Sequence, residues 1–110
     1  MDLYHIWCDL KEGVRDLEFD GHVRRYLDDL RGQGLIAGYR VTRRKLGLGP
    51  ADLGDFHLML EVRDLAQLDA AFRRVASRDD AVEPLHAAVY RSVRNVRFAL
   101  YRDFPDPERV

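Results

Sequence analysis

The chain writes one strand-and-helix phrase twice, and that doubling narrows the fold more than any single residue. Leu3-Tyr4-His5-Ile6-Trp7-Cys8-Asp9-Leu10 aligns without a gap to Asp55-Phe56-His57-Leu58-Met59-Leu60-Glu61-Val62. Both copies alternate as a half-buried strand does. A histidine, a bulky residue and a carboxylate share one face of each: His5, Trp7 and Asp9 in the first, His57, Met59 and Glu61 in the second. Each copy is followed by a helical stretch that opens Asp-Leu and carries an Arg-Arg pair.

Between and after the repeats the pattern is legible element by element. From about Val14 to Arg31, Val14, Leu17, Val23, Leu27 and Leu30 recur at helical spacing, and Gly32 and Gly34 stand where glycine ends a helix. Gly38 to Leu46 alternates again, with Tyr39 and Val41 on one face and Arg40, Thr42 and Arg44 on the other. The Gly- and Pro-rich stretch from Gly47 to Gly54 is a loop. It lacks the Lys-Ser/Thr of a phosphate loop and joins two strands, so it predicts no nucleotide site. Asp64 and Gln67 form a capping box for a helix with the stripe Leu68, Phe72, Val75 and Ala76. A second box, Asp80 to Glu83, opens a shorter helix carrying Val82, Leu85, His86 and Val89, and Asn95 to Arg102 is the last strand.

Strand, helix, strand, strand, helix, strand in 110 residues is one domain. It predicts an α+β, ferredoxin-like βαββαβ fold with a four-stranded antiparallel sheet, spatial order 4-1-3-2, and helices on one side. The two repeated strands take the centre and are expected as parallel neighbours, which sets His5 beside His57, Trp7 beside Met59 and Asp9 beside Glu61. Strand parity then divides the side chains. Tyr4, Ile6, Cys8, Phe56, Leu58, Leu60, Val62, Val96, Phe98 and Leu100 face the helices. His5, Trp7, Asp9, Arg40, Thr42, Arg44, His57, Met59, Glu61, Asn95, Arg97, Ala99 and Tyr101 face away. Large apolar groups such as Trp7, Met59 and Tyr101 rarely face water together, so the second face is expected to pack on a copy of itself as a homodimer.

Element order, length and face pattern resemble the dimeric α+β barrel superfamily, in which two such sheets close a barrel. That group includes antibiotic-biosynthesis-type monooxygenases, muconolactone-isomerase-like enzymes and sugar mutarotases. The chain is also similar to an uncharacterised bacterial family marked by stretches such as Met1-Asp2-Leu3-Tyr4-His5-Ile6-Trp7-Cys8 and Arg43-Arg44-Lys45-Leu46-Gly47-Leu48-Gly49-Pro50. The resemblance implies the barrel and its dimer; no catalytic motif of the characterised members matches residue by residue.

The candidate site comes from the second face. His5 and His57 are the expected proton-transfer groups, because imidazole titrates near neutrality, with Glu61 orienting one of them. Arg40 and Arg97 are expected to anchor an anionic, partly apolar substrate, and Trp7, Thr42, Met59 and Tyr101 to line its pocket inside the barrel. Cofactor-independent oxygenation or isomerisation suits such a pocket. The alternatives are a non-catalytic dimerisation or regulatory module and, on the two histidines, a metal-binding protein. No HxH, HxxxH or HExxH spacing occurs, so neither metal nor cofactor, haem included, is expected. Eighteen basic and 19 acidic side chains, mixed along the chain with a net charge of −1, give no field for nucleic acid. No apolar run approaches a bilayer span. A single cysteine on the core face and an N-terminus running straight into a strand point to the cytoplasm.

Overall fold

A computed structural model describes residues 1–78 and 81–107. In it β1 (Asp2–Leu10), α1 (Asp16–Gly32), β2 (Gly38–Arg43), β3 (Phe56–Val62), α2 (Leu65–Ala76), α3 (Glu83–Tyr90) and β4 (Val93–Arg102) follow one another. The four strands form one antiparallel sheet in the order β2-β3-β1-β4. This is the expected order read from the other edge. Asp80, the start of the second capping box, lies outside the described residues; α3 follows Val82, which makes no side-chain cap, and Pro84 sits in its first turn.

The direction of the central pair corrects the expectation. The α1 crossover brings β2 back in the same direction as β1, and the β2–β3 hairpin then reverses the chain. β3 therefore runs antiparallel to β1, with Trp7 opposite His57, His5 opposite Met59 and Leu3 opposite Glu61. Asp9 and Glu61, expected side by side, lie at opposite ends of the sheet.

Parity survives this reversal, because turning a strand end for end keeps its two faces apart. Phe56, Leu58, Leu60 and Val62 are buried while His57, Met59 and Glu61 between them are half-buried. Against the apolar face α1 lays Phe19, Val23, Leu27 and Leu30, with Phe19 edge-on to Phe56 at 5.2 Å between ring centroids. Leu17, expected in that stripe, is 81% exposed: two residues before Phe19 is about 200° around the helix. Cys8 is buried in the core, as parity predicted, and burial, aided by Asp9, pushes its thiol up to about 11.

Two glycines fix the chain path. Gly34 (φ 74°) ends α1, its N–H bonding the Arg31 carbonyl while Leu35 N–H reaches back to Leu30. That pairing is a Schellman close, in which the left-handed residue favours glycine. Gly54 packs its α-carbon directly against the Cys8–Asp9 backbone, where any Cβ would collide with the Cys8 carbonyl. The loop before β3 is thereby pressed onto the end of β1.

Candidate functional site

The face turned away from the helices carries a continuous aromatic cluster across β1, β3 and β4. His5 Nδ1 lies 2.8 Å from His57 Nε2, and the two ring planes agree within 5° at 5.0 Å between centroids. Such a separation with a nitrogen–nitrogen contact means that the rings meet edge to edge in one plane. Trp7 runs parallel to both, 5.4 Å from His5 and 4.8 Å from His57, and Tyr101 stands edge-on to His5 at 5.0 Å. The antiparallel register makes this possible: Trp7 lies opposite His57, and the longer diagonal to His5 is spanned by the two imidazoles.

Hydrogen bonding fixes the tautomers. Thr42 has one hydroxyl hydrogen, which it donates to the His57 carbonyl at 3.0 Å. Its oxygen, 3.3 Å from His57 Nδ1, is then the acceptor, and His57 carries its proton on Nδ1. His57 Nε2 must accept, so His5 donates from Nδ1, and His5 Nε2 is left with a lone pair. Burial lowers both imidazoles below the usual histidine value, the neighbouring His5 adding to the effect on His57. A neutral pair with one acceptor nitrogen at its end is a base already oriented by its neighbours.

The other expected residues are spread around this cluster. Thr42 takes the orienting role expected of Glu61, which lies four positions along β3 from His57 and pairs with Leu3 and Gly38. Arg40 and Arg97 project from the two outer strands, opposite Met59 and Trp7 respectively. Among the described residues neither forms an ion pair with Glu61 or Asp9. Asp9 serves the fold: it accepts from Asp55 N–H at 3.0 Å and from Asn95 Nδ2 at 3.1 Å, bonds that hold its carboxyl below the usual range. Arg44 ties the 44–54 loop through the carbonyls of Pro50 and Leu53, at 2.8 and 2.6 Å. Between that loop, Trp7 and His57 lies a shallow pocket of about 220 Å³. Among the described residues no three His, Cys, Asp or Glu side chains gather as a metal site needs.

Sequence reasoning missed the larger space, which lies on the helix side. A cavity of about 470 Å³ opens between the sheet and all three helices, floored by Ile6, Leu58 and Val96 and roofed by Leu27, Phe72 and Val89. Among the described residues no charged side chain lines it. Its polar groups among the described residues are the phenols of Tyr4, Tyr26 and Tyr90, the imidazole of His86 and the weakly polar thiol of Cys8. His86 stands 5.4 Å from the Tyr26 ring and 5.0 Å from that of Tyr90. Burial pushes Tyr26 up to about 12 and holds His86 low, against a smaller opposing pull from Glu83. Tyr26 and His86 are therefore neutral near pH 7. The one available signal was the mismatch between a long apolar set on the strands and the few large residues on α2 and α3 able to cover it.

Known proteins agree with the fold. The Arabidopsis thaliana protein At3g17210 superposes with a TM-score of 0.75 at 9% identity, covering 96% of this chain and 98% of its own. A dimeric ferredoxin-like protein of unknown function from Jannaschia sp. CCS1 gives 0.68 at 13% identity, covering 94% and 100%. One from Thermobifida fusca, also described as dimeric and ferredoxin-like, gives 0.56 at 16% identity, covering 92% and 90%. No curated protein matches the chain. One family model matches residues 1–110, that of DUF6614.

Proposed function

We propose, from the premise that this chain belongs to DUF6614, a family of unknown function, that it binds a small, uncharged and largely apolar molecule. The site is the helix-side cavity of one subunit in a cytoplasmic homodimer closed through the other face of the sheet. The observation that carries this reading is the cavity, about 470 Å³ without a charged lining group among the described residues, well inside the roughly 300–1,000 Å³ of small-molecule sites. An ion entering it would shed its water and find no countercharge among the described residues. A neutral carbonyl or hydroxyl would find the His86 imidazole or the Tyr26 phenol. The homodimer is supported by the uncovered Trp7, Met59 and Tyr101 and by the dimeric state of the Jannaschia and Thermobifida proteins.

The test is a thermal-shift comparison of neutral aromatic and alkyl compounds with carboxylates of the same skeleton. A neutral compound at about 100 times its Kd should stabilise by about 2.7 kcal/mol, or roughly 10 °C in a domain of this size. Ala71→Leu, which adds volume at the cavity wall, should abolish the shift. Stabilisation by carboxylates alone, undiminished in Ala71→Leu, would refute the reading.

A second reading is favoured by the open Nε2 of His5. With a partner sheet covering it, His5 would act as a base relayed through His57, with Arg40 and Arg97 holding an anionic substrate and Trp7, Met59 and Tyr101 as its apolar walls. Its signature is the reverse: carboxylate-induced shifts that are lost in Arg40→Ala and Arg97→Ala and kept in Ala71→Leu.

A further inference from the structure

We propose that the His5–His57 pair makes assembly through the open sheet face dependent on pH: each subunit's pair takes up one proton, and the uptake drives the two sheets apart. The inference rests on the homodimer just proposed and adds its regulation. The geometry sets the stoichiometry. With Thr42 holding the proton on His57 Nδ1 and His5 donating to His57 Nε2 at 2.8 Å, His5 Nε2 is the single vacant acceptor of the chain of bonds. A first proton adds there without breaking a bond. A second would set two N–H groups against each other at 2.8 Å, so the pair charges once.

The surroundings decide what that charge does. Facing the same side are Asp9 and Arg94 at one end of β1 and β4, Arg40 from β2, Glu61 from β3, and Arg97 and Tyr101 from β4, with Arg44 just after β2 and Asp55 just before β3 beside Trp7 and His57. The Met1 ammonium and Asp103 pair with each other at the strand ends, 3.5 Å apart. Among the described residues no helix packs on this face. Four guanidinium groups against three carboxylates leave it at about +1, and Asp9 is already engaged by Asp55 and Asn95. Protonation therefore adds to a positive face that meets an identical positive face across a two-fold axis. The sign follows from burial. Partial burial already lowers both imidazoles from 6.5 in the subunit, and a covering sheet lowers them further. Association is then at full strength above the subunit's value and is lost as pH falls through it toward the dimer's. Two protons per dimer give a dissociation constant rising up to about 100-fold per pH unit in that window.

Sedimentation velocity on tag-free protein from pH 8 to 5, with far-UV circular dichroism on the same samples, tests this. The expected result is a dimer at pH 8 that dissociates with unchanged helix and sheet content below the usual imidazole value, and a pH response largely erased in His5→Gln. Heats of dilution in two buffers of different ionisation enthalpy give a readout that needs no variant: proton uptake approaching two per dimer dissociated. A dimer with the same affinity from pH 8 to 5, or no proton uptake, overturns the inference and leaves the dimer standing. Equal pH dependence in His5→Gln overturns it in favour of another group. A monomer at pH 8 overturns the dimer itself.

Discussion

The two faces of this sheet are built from the same four strands and obey different rules. On the helix face, Phe56, Leu58, Leu60 and Val62 meet Phe19, Val23, Leu27 and Leu30, and what matters is filled volume. On the open face, His5, His57, Trp7, Thr42 and Tyr101 meet through directed bonds and parallel rings, and what matters is register. Apolar side chains accept almost any apolar neighbour, so the first face tolerates an error in strand direction. The second does not: reversing β3 exchanges every polar partner.

Mutations can break that contrast or sharpen it. The largest effect is expected from Phe19→Ala, which empties a fully buried site and should cost about 3–5 kcal/mol in denaturant unfolding. Trp7→Ala on the half-buried open face should cost the single subunit only about 1 kcal/mol while abolishing the dimer in sedimentation. Similar losses of subunit stability from both would erase the distinction. Next comes Gly54→Ala, with a loss of about 1–3 kcal/mol, because the added methyl meets the Cys8 carbonyl. Cys8 and Asp9 point to opposite faces, so this change should disturb both, seen as shifts in both Cys8 and Asp9 amide resonances. The smallest effect is Thr42→Val, about 1 kcal/mol. It should leave the core untouched but release the His57 tautomer, read as a change in ring ¹⁵N shifts toward a mixture of Nδ1–H and Nε2–H.

That contrast also explains what could be read in the chain. The alternation of β3, the capping of α2 by Asp64 and the stop at Gly34 depend on residues within a few positions of one another, and all were legible. Leu17 was misplaced because helical phase is poorly defined in a first turn, where one neighbour weighs as much as the pattern. The His5–His57 contact was expected for the wrong reason: parallel strands would have set the two side by side, whereas antiparallel pairing brings them together along a diagonal behind Trp7. The partner of His57 was sought among carboxylates and proved to be Thr42 on the adjoining strand.

The sequence by itself determined the element order, the two sets of side chains that the strands present and the burial of Cys8, since a strand's period of two and a helix's of 3.6 are properties of the local backbone. Tertiary structure alone decided which open-face groups touch and which nitrogen of His5 stays vacant. It also decided that a cavity of about 470 Å³ opens between the sheet and the helices. Those outcomes depend on strand direction and on how far α2 and α3 stand from the sheet, and both are set by connections spanning tens of residues.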